Sequence, residues 1–123
     1  MEKKAEQMRT WFDGQIAACT SRQKELLADD RPDEAAFEKI RANVYDIFRT
    51  VLSVGVQNSG GREEAAKAFF LEKLRQIPSA WMASYNQASQ NHDGKKMYIE
   101  QLKMDTAREI RLKFSEIWEE KYE

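Results

Sequence analysis

Histidine and cysteine, which often serve as metal ligands or as nucleophile and base, occur once each in the 123-residue chain, as His92 and Cys19. One imidazole and one thiol cannot build a zinc site of several such ligands or the paired Glu-x-x-His motifs of di-iron bundles. Cys19 falls on the apolar stripe of a predicted helix, where a free cysteine acts as a small hydrophobe, and His92 falls in a predicted turn. We therefore assign no catalytic residue, no metal and no cofactor, and we predict that the chain is not an enzyme.

The formal charges nearly cancel, since 20 basic residues face 21 acidic ones and the net charge is −1. A polyanion binder needs an excess of Lys and Arg, so the sequence predicts no nucleic-acid partner. No run of about 18 apolar residues could span a membrane, and the N-terminal sequence lacks the apolar core of a signal peptide. The sequence therefore predicts a cytoplasmic protein without a membrane partner.

Arg41 is a cation inside the apolar arc of a predicted helix. It either extends to water along its aliphatic stem, or it is a partly buried guanidinium that pairs with a carboxylate of the chain or of a ligand. In the second case Arg41 would be the polar anchor of a small-molecule cleft near Pro78. Trp81 and Tyr85 would line that cleft.

The last predicted helix carries apolar residues that its core-facing stripe does not use. They are Met97, Met104, Trp118 and Tyr122, and they form an edge roughly 100° to 160° from that stripe. Either a neighbouring helix covers this edge, or it is an exposed strip of Met and aromatic residues, a composition typical of protein interfaces. The second interpretation makes these four residues candidates for binding a partner or a second copy.

The elements that position these residues are helices, as the composition indicates. Five glycines and two prolines leave few breaks, and residues that favour helices dominate the chain. Apolar positions recur with the period of a helix, and no strand-like alternation competes with them. The predicted helices cover Glu2–Leu27, Pro32–Val54, a third segment that begins near Glu63, and Lys95–Lys121.

The second predicted helix has the widest apolar arc, roughly 200°. An arc of that width needs more than one neighbour, so we expect this helix to be the central one. Its apolar positions step by 3-4-3-4-3, the spacing of a heptad seam, and three further side chains widen the arc. The seam consists of Phe37, Ile40, Val44, Ile47, Val51 and Val54, and the widening residues are Tyr45, Phe48 and Leu52.

Pro78 interrupts the third helical pattern, which continues in phase beyond it. Proline removes one backbone hydrogen bond and disfavours helical geometry at the preceding residue, so we predict a kink or a break there. Long helices joined by short connections pack antiparallel to their sequence neighbours. The sequence therefore predicts one domain, residues 1–123, folded as an all-α, antiparallel up-down-up-down four-helix bundle with four to five helices.

Two functions are compatible with this architecture. The first is a non-enzymatic helical module for protein–protein interaction, which could also associate with itself as a homodimer. The alternative is a helical bundle that binds a small molecule in the cleft near Pro78. Abundant aromatic residues and the absence of catalytic residue types favour the first.

Overall fold

The computed structural model describes residues 1–119, and helices account for nearly all of them. The four α-helices are followed by a short π-helical segment, and the described part contains no strand. This confirms the predicted all-α class, while the predicted end of the last helix near Lys121 lies outside the described residues. The elements are α1 (Glu2–Ala28), α2 (Pro32–Gln57), α3 (Glu63–Gln90), α4 (Gly94–Phe114) and the π-helical segment Ser115–Glu119.

Two of the connecting turns use a residue other than glycine in the left-handed conformation. These residues are Asp30, with a φ of 56°, and His92, with a φ of 55°. In the first turn the backbone N–H of Arg31 donates to the carbonyl of Leu26 at 2.8 Å, and the corresponding bond in the second turn has the same length. This pattern is the Schellman motif, which satisfies the last carbonyls of a helix. It ends α1 and α3 sharply, so each next helix folds back. His92 is a turn residue, as predicted.

Ion pairs between α1 and α2 show that these two helices are antiparallel. Asp13 near the middle of α1 pairs with Arg49 at 2.6 Å, and Arg22 farther along α1 pairs with Glu38, earlier in α2, at 3.0 Å. A residue later in α1 therefore pairs with a residue earlier in α2, as two antiparallel helices require. This is the first antiparallel pair of the predicted topology.

The pair α3 and α4 repeats the antiparallel arrangement. The ring of Phe70 stacks on that of Phe114 with centroids 4.4 Å apart, and the ammonium of Lys103 lies 5.9 Å from the ring centroid of Trp81. Again the later residue on α3 meets the earlier residue on α4. The chain therefore has the up-down-up-down topology that the sequence predicts.

Helix α2 packs against each of the other three α-helices. It runs parallel to α4, because Phe37 contacts Tyr98 with ring centroids 4.7 Å apart, and Tyr45, two turns later, hydrogen-bonds to Glu109 at 3.0 Å. Parallel helices lie on a diagonal of an up-down-up-down bundle. Helices α2 and α4 therefore meet across the core, which confirms α2 as the central helix.

The core side of α2 is rotated from the predicted heptad seam. Tyr45 and Phe48 are fully buried, whereas Ile47 is 39% exposed and Val54 is 37% exposed. The reason is that α2 packs against its three neighbours on the side of Tyr45 and Phe48. The seam residues Ile47 and Val54 therefore lie at the edge of the interface between α2 and α3, where solvent reaches them. Aromatic rings from all four α-helices and the π-helical segment fill the centre of the bundle: Phe12, Tyr45, Phe48, Phe70, Phe114 and Trp118.

The predicted kink or break at Pro78 is not confirmed. A single helix, α3, runs from Glu63 to Gln90 with Pro78 inside it, so the described chain has four α-helices. The turns on both sides of Pro78 are held by packing, since Ile77 and Trp81 rest against the core. Burial of these flanking residues keeps the helix continuous, although proline lacks the N–H that would bond the carbonyl of Leu74.

Candidate functional site

A groove of about 810 Å³ lies between α1, α2 and α4. Helix α2 packs against both α1 and α4, and α1 also packs against the π-helical segment. The C-terminal half of α1 and the N-terminal half of α2 form one wall. Helix α4 forms the other wall. We call this surface the acidic groove, for the reason given below.

The floor of the acidic groove is apolar and partly aromatic. Leu26 of α1, Phe37 of α2 and Leu102 of α4 are half-buried, and the side chain of Tyr98 is 55% exposed. The contact between Phe37 and Tyr98 links α2 to α4 across the floor. A large aromatic ring that remains half exposed is a typical anchor for a binding partner.

The rim of the groove carries twice as many carboxylates as guanidiniums. An excess of acid of this size produces a negative local potential, whereas the chain as a whole is nearly neutral. The lining residues carry a net formal charge of −3, and five of the six carboxylates are paired with arginines. The six acidic residues are Glu25, Asp29, Glu34, Glu38, Asp105 and Glu109, and the three basic ones are Arg22, Arg31 and Arg41.

Arg41 lies in the wall of this groove with its side chain 22% exposed. Its Nη1 lies 3.6 Å from Glu38 Oε1, and its Nη2 lies 3.7 Å from Glu109 Oε1. Nη2 also donates to the hydroxyl of Tyr45 at 3.4 Å, and that hydroxyl donates to Glu109 Oε1 at 3.0 Å. Arg41 is therefore a partly buried guanidinium that pairs with carboxylates of its own chain, the second of the two interpretations of the sequence.

Cys19 lies at the base of this network and is fully buried. Burial raises the pKa of its thiol, so the neutral, weakly nucleophilic form dominates near neutral pH. Arg22 Nη2 donates to its Sγ at 3.5 Å. Cys19 is thus a core residue, as the sequence predicts.

Residues 1–119 contain neither a metal-binding cluster nor a membrane-spanning helix. No three His, Cys, Asp or Glu side chains of this part are grouped in a way that could hold a metal ion. None of its helices combines the length and the apolar character that crossing a membrane requires.

We expect the stability of the protein to depend on the protonation of Tyr45 at alkaline pH. Burial, together with the charge of Glu109, raises the pKa of Tyr45 from its ordinary value near 10 to about 12. Between these values the unfolded chain has lost a proton that the folded protein keeps, so the free energy of unfolding falls as the pH rises from about 10 to about 12. By about pH 11 this loss should reach about 1 kcal/mol.

The check is urea unfolding of the wild type and of Tyr45→Phe at about pH 8 and about pH 11. Lysines and other groups also titrate in this range, but their titration changes the free energy of unfolding of both proteins equally. The stability difference between wild type and variant should therefore change by about 1 kcal/mol in favour of Tyr45→Phe at the higher pH. An unchanged difference would show that Tyr45 has an ordinary pKa.

The residues predicted to form one cleft near Pro78 lie in different places. Arg41 lines the acidic groove, whereas Trp81 lines a separate groove of about 310 Å³ together with Ile47 and Lys103. The reason is helical geometry, because Arg41 and the α2 residues of the second groove differ by roughly 60° to 160° around α2. Tyr85 is half-buried on α3. A third groove, beside Pro78, contains none of these three side chains among its lining residues.

The predicted edge on the last helix is divided between the surface and the core. Met97 and Met104 are half-buried, and Met104 lines the groove beside Pro78. Trp118 is 3% exposed and stacks on Phe114 with ring centroids 5.2 Å apart, so it belongs to the core of the monomer. Tyr122 lies outside the described residues. A role of Met97 and Met104 in binding a partner stays a prediction.

Tyr98, the most exposed residue of the groove floor, is not among the site residues predicted from the sequence. It could have been noticed as an aromatic residue outside both apolar stripes of the last helix. Comparisons of the chain with protein-family models, with curated proteins and with solved structures found no match.

Proposed function

We propose that this chain is a non-enzymatic protein-interaction module. Its acidic groove receives a positively charged amphipathic helix of a partner protein. The observation that carries the proposal is the combination of a half-exposed aromatic floor with a rim of excess carboxylates. The cytoplasmic location predicted from the sequence is part of the same proposal.

The dimensions of the groove support a helical occupant. On α4 the lining residues extend from Tyr98 to Glu109, which corresponds to about 16 Å of helix axis. Three turns of a partner helix cover that length. Residues of α1 and α4 both line the groove, and a further helix can lie between them, as in other complexes where a helix binds in a groove.

The chemistry of the groove selects the charge of that helix. Apolar side chains of the partner would cover Phe37, Tyr98 and Leu102, and its Lys or Arg residues would face the carboxylates of the rim. Ion pairs at such an exposed rim contribute mainly to association rate and selectivity, while the desolvated aromatic floor supplies most of the affinity. We therefore expect affinity to fall when the ionic strength rises, and to fall further when the floor is truncated.

The test is the fluorescence anisotropy of a labelled synthetic helix with leucines on one face and lysines beside them. Tyr98→Ala should weaken its binding about tenfold, which corresponds to about 1.4 kcal/mol. Tyr85→Ala is the matched control, because it removes the same side chain from α3, outside the groove. Circular dichroism checks that both variants are folded.

A second peptide with the same leucines and with glutamates in place of the lysines tests the role of charge. The acidic groove should bind this peptide at least about tenfold more weakly than the basic one at low salt. Equal binding of the two peptides, or equal loss of affinity in Tyr98→Ala and Tyr85→Ala, would contradict the proposal.

A further inference from the structure

One side of α2 carries no charged side chain over the described positions from Ala36 to Val54, although 33% of the chain is charged. All positions of this stretch that lie within about 60° of Ile47 around the helix are uncharged. Ile47 is 39% exposed and Val54 is 37% exposed, so solvent reaches this side. We call six of these residues the neutral strip: Ala36, Ile40, Asn43, Ile47, Thr50 and Val54.

The neutral strip lies on the outer side of the pair α2 and α3. Tyr45 faces α1, where its ring centroid lies 5.6 Å from that of Trp11. Phe48 is turned about 60° from Tyr45 and faces Trp81 of α3 at 6.5 Å, and Ile47 is turned a further 100° or so in the same sense. The strip is therefore past the contact with α3 and points away from the core.

Helix α3 continues this surface with small and uncharged side chains. They are turned toward the side of Phe69, whose ring lies against Gly55 of α2. The strip on α2 and these residues of α3 therefore form one surface, which we call the neutral face. The α3 residues are exposed and fall within about 60° of one another: Gln76, Ala80, Ala83 and Gln87.

Charged side chains border the neutral face and have partners on its flanks. On α2, Asp46 pairs with Arg49 at 2.7 Å. On α3, the ammonium of Lys73 donates to the amide oxygen of Gln76 at 3.2 Å. An uncharged centre with a polar rim is the arrangement of a protein interface, where charged residues are depleted from the core of the contact.

We propose that the neutral face binds the neutral face of a second copy of this chain, with the two α2 helices antiparallel. This inference goes beyond the proposed function and does not rest on it. The acidic groove stays open in such a dimer, because its α2 residues Phe37 and Arg41 are turned about 80° and about 120° from Ile47.

The order of larger and smaller side chains in the neutral strip points to a second copy as the partner. A two-fold axis near position 45 places Ile47 against Asn43 of the second copy. The same axis places Ile40 against Thr50 and Val54 against Ala36, so every branched apolar side chain meets a smaller one. The strip advances by alternating steps of four and three residues, the spacing with which two helices pack side by side. A two-fold contact uses each pair twice, so one strip supplies both sides of the interface.

The size of the neutral face fits a dimer that dissociates on dilution. From Ala36 to Val54 the strip is about 27 Å long, and two packed helices are about 20 Å wide. Two such faces bury on the order of 1,100 Å², close to the lower limit of roughly 1,200 Å² for a stable interface. Because the centre of the contact holds no opposite charges, salt should not weaken it.

The experiment is sedimentation velocity of the full chain over a range of concentrations. The wild type should convert from monomer to dimer as its concentration rises. Ile47→Asp should weaken the dimer at least about tenfold, because each dimer contains the new charge twice. Met82→Asp is the matched control, since it places the same charge on a side chain of α3 that is 49% exposed and about 120° from Gln76. Its dimer should equal that of the wild type.

Asn43→Asp adds a test that does not depend on a buried side chain. Asn43 is exposed in the monomer, and aspartate has nearly the same shape, so the fold should be unchanged by circular dichroism. The dimer should nevertheless weaken about tenfold, because the contact would desolvate two carboxylates. Raising the salt from about 0.05 M to about 0.5 M should leave the wild-type dimer unchanged. A dimer that dissociates in salt would be held by charges and would overturn the inference.

Cross-linking tests the antiparallel register. An Asn43→Cys chain and an isotope-labelled Ile47→Cys chain are mixed and oxidised, and mass spectrometry identifies the products. The antiparallel dimer should give the mixed disulfide, since positions 43 and 47 face each other, whereas products that join only identical chains would overturn the proposed register. Cys19 is fully buried in each chain, so it should not react.

Two further results would overturn the inference. One is a wild type that stays monomeric at all concentrations. The other is a dimer that both Ile47→Asp and Asn43→Asp leave unchanged, which would place the contact elsewhere. Binding of the basic peptide to the acidic groove should be the same in Ile47→Asp and in the wild type, so the dimer and the proposed function can fail separately.

Discussion

Replacing Phe114 by alanine should reduce the free energy of unfolding by about 3 to 5 kcal/mol, the largest loss that we expect from a single substitution. Phe114 is fully buried, and its ring is stacked between Phe70, at 4.4 Å, and Trp118, at 5.2 Å. Truncation leaves a cavity that these rigid rings cannot fill. The measurement is urea unfolding followed by circular dichroism.

The control for this prediction lies two residues earlier on the same helix. Leu112 is 66% exposed, so Leu112→Ala should change the unfolding free energy by no more than about 0.5 kcal/mol. Both substitutions remove a large apolar side chain from α4, and only their burial differs. Equal losses in the two variants would contradict the inward orientation of Phe114.

The sequence predicts the helices well because local residues determine their ends. Pro32 fits the first turn of α2, and the turn around His92 is recognisable from its short polar residues. The rotation of α2 about its axis is harder to predict. Ile47 and Phe48 are both apolar neighbours, yet Ile47 is 39% exposed and Phe48 is fully buried. Only the positions of the neighbouring helices decide between them, and no local pattern contains that information.

The residues that meet in the candidate site are also hard to predict from local sequence. Arg41 attracts notice in the sequence because it is a cation within an apolar arc. The hydrogen bond of Tyr45 to Glu109 joins residues 64 positions apart, and Arg41, which contacts the same carboxylate, is farther still from it in the chain. No helical period connects residues at such a separation. The acidic groove gathers charges from three helices, of which α1 and α2 are nearly balanced in charge and α4 has six basic residues against three acidic ones. Its excess of carboxylates therefore becomes visible only when the helices are assembled.

Replacing Pro78 by alanine should raise the free energy of unfolding by about 1 to 2 kcal/mol. Helix α3 is continuous at this position, so alanine can supply the N–H that proline lacks and bond the carbonyl of Leu74. The difference in helix propensity favours alanine by about 3 kcal/mol. Greater freedom of the unfolded chain offsets about 0.4 to 1 kcal/mol of this gain, and loss of the half-buried ring offsets a further part.

Pro32→Ala is the matched control, because Pro32 occupies the first position of α2, where the N–H has no partner within the helix. Its unfolding free energy should therefore stay within about 1 kcal/mol of the wild-type value. Hydrogen exchange adds a direct measure, since the new amide at position 78 should be protected as strongly as those of the neighbouring turns. A loss of stability in Pro78→Ala, or an unprotected amide, would mean that α3 bends at Pro78 and that its packing depends on the bend.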